Sequence, residues 1–312
     1  MSVPALRIRD LTKSFNGLTA LDSVSFEVAD GETFGLLGPN GAGKSTLINI
    51  LSGVLPYDSG HIEYYGVEHR EPTVEFKLTM GVIPQEINLY EKLSARENLE
   101  FYGRLYGLDE SILKSEINEK LEMVGLTDRQ NDRIGTYSGG MKRRINIAAS
   151  ILHSPKFIMM DEPTVGIDPQ SRNLIFEVIE KLNEEGSTII YTSHYMEEVE
   201  RLCRNIAILD HGKVVAVGTR AELIALTEGR DTIEIELLNE TEEPDSVLKT
   251  FEDMDPSFGE GSLQLRTVEG SRKVSEIVGR LANINHPVKS ITVREPNLEN
   301  VFLHLTGKEL RD

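Results

Sequence analysis

TFGLLGPNGAGKSTLINIL, Thr33 to Leu51, reads as a strand, a glycine-rich turn and a helix in direct succession. Thr33 to Leu37 is a short apolar run of the kind that fills a buried strand. Thr46 to Leu55 continues at helical spacing, and Pro56 with Asp58-Ser59-Gly60 closes the unit. Between strand and helix, Gly38-Pro39-Asn40-Gly41-Ala42-Gly43-Lys44-Ser45 fits G-x-x-x-x-G-K-[ST]. Glycines let backbone wrap closely around an anion with its N–H groups turned inward, and the helix that follows adds the positive end of its dipole. The residues from Gly38 to Thr46 are therefore candidate phosphate contacts. Lys44 is expected to reach the β- and γ-phosphates of a nucleotide, and the Ser45 hydroxyl to ligate Mg²⁺. A chance glycine turn is disfavoured because the strand before it and the helix after it both match the required context.

Working outward, Leu6-Arg7-Ile8-Arg9 and Val24-Ser25-Phe26-Glu27-Val28 alternate as half-buried strands do, with Asn16-Gly17 and Asp30-Gly31 as turns. Further strands are expected at His61 to Tyr65 and Met80 to Pro84. From Ala95 to Val124 the pattern becomes helical, with Leu99, Tyr102, Leu105 and Tyr106 in one group and Ile117, Leu121 and Val124 in another. A helix beginning at Ser138-Gly139-Gly140 carries Met141, Ile145, Ala148 and Leu152 on one face. Apolar strands then alternate with helices: strand Phe157 to Met160, helix Ser171 to Glu184, strand Thr188 to Thr192, helix Met196 to Arg201, strand Asn205 to Asp210. Such alternation argues a largely parallel sheet covered on both faces.

Near Thr227 the composition shifts. Acidic connectors (Glu240-Thr241-Glu242-Glu243-Pro244) separate strand candidates at Thr232 to Leu237, Leu263 to Thr267 and Lys289 to Arg294, with helical patterns at Val274 to Leu281 and Leu298 to Leu305. We expect residues 1–226 to form one domain, with a helical subdomain at about 86–152, and residues 227–312 a small separate α/β domain. No low-complexity tract or internal repeat interrupts this plan.

A chain of 312 residues can bury a substantial core. No stretch approaches the roughly 20 apolar residues that span a bilayer, and MSVPALRIRD lacks the basic start and apolar run of a signal peptide. Cys203 is the single cysteine, so an internal disulfide framework is excluded and a reducing cytoplasm is expected. With 51 acidic residues against 33 basic, the formal charge of -18 disfavours general nucleic-acid binding. It does not disfavour ATP, which a few local donors can hold.

The apolar run Phe157 to Met160 ends in Asp161-Glu162, at the carboxyl end of a strand, where open α/β sheets bind ligands. Asp161 offers Mg²⁺ an oxygen ligand, and Glu162 could orient and deprotonate a water. His194 ends another apolar strand; the residues alone leave a structural histidine and a functional one equally open. Gln85, after Gly81 to Pro84, has an amide that could meet metal or water, but taken alone it reads as a loop glutamine. Phe15 could stack on adenine, although core packing is the stronger independent reading. Ser138-Gly139-Gly140 offers a second phosphate-facing helix start, more than one γ-phosphate needs unless each start faces a different nucleotide. Lys142-Arg143-Arg144 reads as a solvated helix face.

Together these residues resemble the nucleotide-binding subunits of ABC transporters, over about residues 4 to 226. The resemblance implies a P-loop NTPase fold of ABC type: a mostly parallel sheet core, an antiparallel β subdomain and a helical insertion. It also makes Phe15 the adenine-stacking aromatic, Gly38 to Thr46 the Walker A loop and Gln85 the Q-loop glutamine. Asp161 and Glu162 become the Walker B metal ligand and catalytic base, Val165 to Asp168 the D-loop and His194 the switch histidine. Ser138 to Met141 corresponds to the signature that meets ATP on an opposite subunit; Tyr137 and Met141 depart from the usual LSGGQ, while the serine and glycines are kept. The tail Arg294 to Leu303 resembles that of DrrA-like drug- and antibiotic-export ATPases.

The expectation is thus an ATP hydrolase with ATP and Mg²⁺ as ligands. It would pair with a second copy of itself around two ATP molecules and drive a separate multi-span membrane permease, from the inner face of the cell membrane. The region Glu86 to Tyr106 is the docking surface that the resemblance implies. A soluble ATPase acting on nucleic acid or ribosomes, or an ATP-dependent switch without turnover, are the alternatives. One cassette, no sustained heptads and an acidic surface count against the first; Glu162 and His194 count against the second.

Overall fold

The computed structural model describes residues 3–70, 73–227, 230–238, 244–259, 262–294 and 296–307. Glu240 to Glu243 of the acidic connector, and Glu295 of the tail, lie outside them. The chain divides into two compact units, one built on Met1–Thr219 and one on Arg220–Glu309.

The first unit begins with β1 (Leu6–Phe15), β2 (Leu18–Val28), β3 (Thr33–Leu37), α1 (Lys44–Leu51), β4 (Ser59–Tyr64) and β5 (Val67–Glu68). It continues with α2 (Val74–Lys77), β6 (Met80–Ile83), α3 (Ala95–Leu105), α4 (Glu110–Met123), α5 (Gly139–Ser150) and β7 (Phe157–Asp161). Then follow α6 (Pro169–Glu184), β8 (Thr188–Ser193), α7 (Met196–Leu202), β9 (Asn205–Asp210) and β10 (Lys213–Thr219).

Two sheets result. An antiparallel one has the order β2-β1-β4-β5; the other, β10-β9-β3-β8-β7-β6, is parallel from β9 to β6, with β10 antiparallel at its edge. β3, β7 and β8 are buried along their whole lengths, which is why they read as continuous apolar runs rather than alternating ones. Phe34, Leu36, Phe157 and Met159 turn to one face of the parallel sheet. There they share a core with Leu47, Ile48 and Leu51 of α1 and with Leu6, Ile8, Val24 and Phe26 of the antiparallel sheet. The stacked rings of Phe26 and Phe34, 5.1 Å apart, tie the two sheets together. Val199 and Cys203 of α7 pack on the opposite face, against Gly35.

The long helical run expected from Ala95 to Val124 is two helices, because Gly107 takes φ 78° just past the end of α3. Ser94 and Glu97 form a capping box that starts α3. Leu99, Leu113, Ile117, Leu121, Ile145 and Leu152 make the core of α3 to α5, whereas Leu105, expected beside Leu99, is 63% exposed. α1 stops at Leu51 rather than Leu55, where Gly53 takes φ 70°.

The second unit contains α8 (Arg220–Ala225), β11 (Asp231–Leu237), α9 (Pro244–Thr250), β12 (Ser257–Gly259), β13 (Ser262–Thr267), α10 (Gly270–Asn283), β14 (Val288–Arg294) and α11 (Leu298–Thr306). Its sheet, β12-β13-β11-β14, is antiparallel throughout. Ile233, Ile235, Leu263 and Leu265 present one face of that sheet to Val247 of α9, Met254 and Ile277 and Leu281 of α10. The unit thus has its own hydrophobic core.

One close approach in the first unit limits how α5 can move. Ser138 caps α5 by accepting from the Met141 N–H at 3.3 Å, and Asp168 caps α6 by accepting from the Ser171 N–H at 2.9 Å. The two helix starts touch: a Cβ on Gly140 would lie 2.1 Å from Ser171 Oγ and 2.4 Å from its Cβ, whereas one on Gly139 would meet nothing within 4 Å. Gly140→Ala is therefore expected to destabilise the protein by about 1–3 kcal/mol through overpacking. Gly139→Ala should leave stability unchanged or raise it by up to ~1 kcal/mol through helix propensity. Urea unfolding of the two variants checks this; equal midpoints would show that α6 yields at no cost.

Candidate functional site

The carboxyl ends of β3, β7 and β8 lie side by side, with Leu37 paired to Ser193 and Asp161 to Thr192. The segments leaving these ends are Gly38 onward, Glu162 onward and His194 onward. The first two border a cavity of about 440 Å³ lined by Asn40, Gly41, Gly43, Lys44, Ser45, Thr46, Gln85 and Glu162, with Leu18, Thr19, Ala20, His211 and Gly212 on its remaining wall. His194 is absent from the lining and reaches the site only through Glu162.

Gly43 precedes α1 with φ 108°, and a side chain there would come within 2.7 Å of the Ala20 carbonyl. Only glycine suits both demands. α1 has no side-chain cap, so its first N–H groups, those of Lys44 to Thr46, have no partner from a capping side chain as they open beside the cavity. Lys44 is buried, and its Nζ donates to the carbonyls of Gly38 at 2.6 Å and Pro39 at 3.0 Å. It also stands 3.0 Å from Glu162 Oε1. Ala42 is buried and its carbonyl accepts from the Gly212 N–H, which fastens the loop to the turn after β9.

Glu162 is buried with φ 45°, a left-handed conformation uncommon for a residue with a side chain. Thr192 holds it there. The Thr192 hydroxyl accepts from the Glu162 N–H at 3.0 Å and donates to Asp161 Oδ1 at 2.8 Å. Both acids are thereby fixed by one side chain of the neighbouring strand. His194 is buried, with Nδ1 3.3 Å from Glu162 Oε1 but not aligned for a hydrogen bond, so that nitrogen has no partner within the chain.

Gln85 is exposed on the loop after β6, whose backbone is gripped from the helices. Arg143 donates to the Pro84 carbonyl at 2.7 Å and to that of Gln85. Asn146 accepts from the Asn88 N–H, and Asn98 both accepts from the Tyr90 N–H and donates to its carbonyl. The expectation of a solvated Lys142-Arg143-Arg144 face is corrected here: Arg143 and Arg144 are buried, because loop carbonyls need them as donors. Arg144 donates to the Val124 carbonyl at 2.6 Å. Burial lowers the pKa of Arg143, with Asp161 opposing the shift.

Phe15 is another departure. It is 41% exposed, not core, with Lys13 Nζ 5.2 Å from its ring centroid, and it pairs across the hairpin with Leu18 of the cavity wall. Ser138, Gly139 and Gly140 are absent from the cavity lining, as is Asp161, which lies just behind Glu162 on β7. The cavity therefore gathers the phosphate loop, Gln85 and Glu162, and leaves the second helix start elsewhere on the same chain.

The oxygens available near Ser45, Gln85 and Asp161 are hydroxyl, amide and carboxylate, a hard donor set that fits Mg²⁺ with phosphate and water completing its shell. The helix start without a side-chain cap and the unpartnered His194 Nδ1 fit a polyanion.

The ABC transporter family profile matches residues 21–165. The linearmycin resistance ATP-binding protein LnrL of Bacillus subtilis (strain 168) is 44% identical, covering 98% of this chain and 100% of its own. A Nod factor export ATP-binding protein I of Rhizobium sp. (strain N33) is 37% identical over 99% of both chains. The daunorubicin resistance ATP-binding protein DrrA3 of Streptomyces coeruleorubidus is 34% identical over 100% of this chain and 98% of its own. Among solved structures, an ATP-binding subunit of an ABC transporter superposes with a TM-score of 0.65 at 29% identity, covering 72% of this chain and 93% of that one. With a phosphate loop, a serine-glycine helix start and an acidic strand end in this order, and relatives matched end to end, the chain belongs to the ABC transporter family of ATP-binding proteins, in its DrrA-like branch.

Proposed function

We propose that this chain is the ATP-hydrolysing subunit of an exporter, acting as a head-to-tail dimer on a separate multi-span permease at the inner face of the cell membrane. The observation that carries the reading is the position of Glu162 Oε1, 3.0 Å from Lys44 Nζ and 3.3 Å from His194 Nδ1 at the mouth of the phosphate loop. The export direction is supported by relatives named for Nod factor export and for antibiotic resistance. A permease partner is supported by relatives named as ATP-binding proteins of export and resistance systems, and among the described residues no helix is long and apolar enough to cross a membrane.

The loop from Gly38 to Thr46 would wrap the phosphates with backbone N–H groups, and Phe15 would cover the adenine. Lys44 would exchange its contact with Glu162 for the β- and γ-phosphate oxygens, freeing that carboxylate to act. Glu162 then takes a proton from water as the water oxygen bonds to the γ-phosphorus and the bond to the β-phosphate oxygen breaks, leaving ADP and phosphate. His194 would donate to the γ-phosphate, and Gln85 would orient the water. Mg²⁺ bound by Ser45, Gln85 and Asp161 would offset charge on the transferring group. Ser138, Gly139 and Gly140 would close over the ATP of the partner subunit. The nucleotide-binding role belongs to the first unit, with the second as an accessory domain.

Glu162→Gln is expected to lower steady-state ATP turnover at least ~100-fold with ATP binding retained. Phosphate release measured at saturating ATP checks it, and an unchanged rate rules out the base role. The same variant in ATP should elute as a dimer in size-exclusion chromatography with light scattering. Adding Ser138→Arg should return it to a monomer, and a dimer that survives this change would place the interface elsewhere.

A further inference from the structure

Glu198, in the first turn of α7, is 3% exposed and lines no part of the nucleotide cavity, yet it is the most heavily bonded carboxylate near it. Thr164 Oγ1 stands 2.8 Å from both of its oxygens, and the hydroxyls of Tyr191 and Ser193 each donate to Oε2 at 2.8 Å. Arg172 Nε lies 3.6 Å from Oε1. Burial, aided by the Glu198 charge, raises the Tyr191 phenol well above its ordinary pKa, so it remains a donor.

These partners are not scattered. Thr164 follows Glu162 by two residues. Ser193 immediately precedes His194, and its Oγ also accepts from the Tyr195 N–H at 2.9 Å, so it spans the histidine from both sides. One carboxylate therefore fastens the segment leaving β7 to the segment leaving β8, at the point where Glu162 and His194 approach to 3.3 Å. A position needed only for packing would be filled at less cost by an apolar side chain, since a buried ion pair or network is seldom worth its desolvation. A network that accepts from three hydroxyls fixes geometry instead.

We propose that Glu198 is a positioning residue for ATP hydrolysis, setting the Glu162–His194 geometry through Thr164 and Ser193. The proposal rests on the hydrolase reading above. It deepens that reading by naming what holds base and histidine together.

The test uses the full-length protein and four forms: wild type, Glu198→Gln, Thr164→Val and Thr164→Ser. Turnover, KM for ATP and the stoichiometry of bound ATP are measured for each. Glu198→Gln should lower kcat by about 10- to 100-fold, the order expected for a misplaced catalytic group, with KM and stoichiometry within about 3-fold of wild type. Thr164→Val, which keeps the shape and removes the donor, should lose kcat in the same way, and Thr164→Ser should recover most of that loss. Wild-type kcat in both Glu198→Gln and Thr164→Val overturns the proposal. So does a loss of kcat matched by an equal loss of ATP stoichiometry in both, since that is unfolding. A wild-type protein with no turnover at all sinks the hydrolase reading and this one with it, whereas active wild type with unaffected variants sinks only the positioning role.

Discussion

The alignment of three parallel strand ends is the constraint on which the rest depends. Leu37, Asp161 and the Thr192-Ser193 pair reach the same level of the sheet because β3, β8 and β7 are hydrogen-bonded in that order and register. A slip of one residue in any of them would reverse which side chains face α1 and which face α7. Both faces of these strands are buried, so the apolar side chains resist such a slip. The phosphate loop, the acidic turn and the histidine then follow as three exits from one edge. Thr192 shows how tight this is: a single hydroxyl meets the side chain of Asp161 and the backbone of Glu162 together, which only a neighbouring strand in register can supply.

Much of this was legible in the sequence. Continuous apolar runs announced the central strands, and the G-x-x-x-x-G-K-[ST] spacing and the Asp161-Glu162 step marked two of the exits. What escaped were polar residues whose partners are remote in the chain. Thr192 and Tyr191 sit inside a strand that reads as apolar, and Glu198 sits in a helix turn that reads as acidic surface. Arg143 and Arg144 looked solvated because periodicity registers apolar faces only. Their burial follows from carbonyls at Pro84, Gln85 and Val124, loop positions that no local pattern connects to α5. β12 was missed because three residues are too few for alternation to register, and β10 because Val214 to Val217 is apolar at successive positions and does not alternate in sequence, although its burial does. Phe15 shows the converse error. An aromatic in a strand suggests core, but its place at a hairpin end leaves it exposed.

The first turn of α6 joins these parts. Ser171 lies beneath Gly140, so the signature helix rests directly on this turn. Asp168 caps the same turn, and Arg172, the next residue along, reaches toward Glu198 and stands 5.5 Å from the Tyr195 ring. Arg143 of α5 meanwhile holds the carbonyls beside Gln85. A displacement of the signature turn would therefore be transmitted through packed and hydrogen-bonded groups to the segments carrying Glu162, His194 and Gln85. No long-range field is required.

That arrangement has a consequence for a dimer of the proposed kind. The turn at Ser138 would meet the partner's nucleotide, while Glu162 and His194 would meet the chain's own. The space between Gly140 and Ser171 is too small for even a methyl group, and close-packed interiors pass such displacements on rather than absorb them. Filling one site would then bear on the geometry of the other through α6, with Glu198 as the last anchor before the reacting groups. Coupling between two ATP sites would be a property of how one subunit is packed, and the partner need only supply the push.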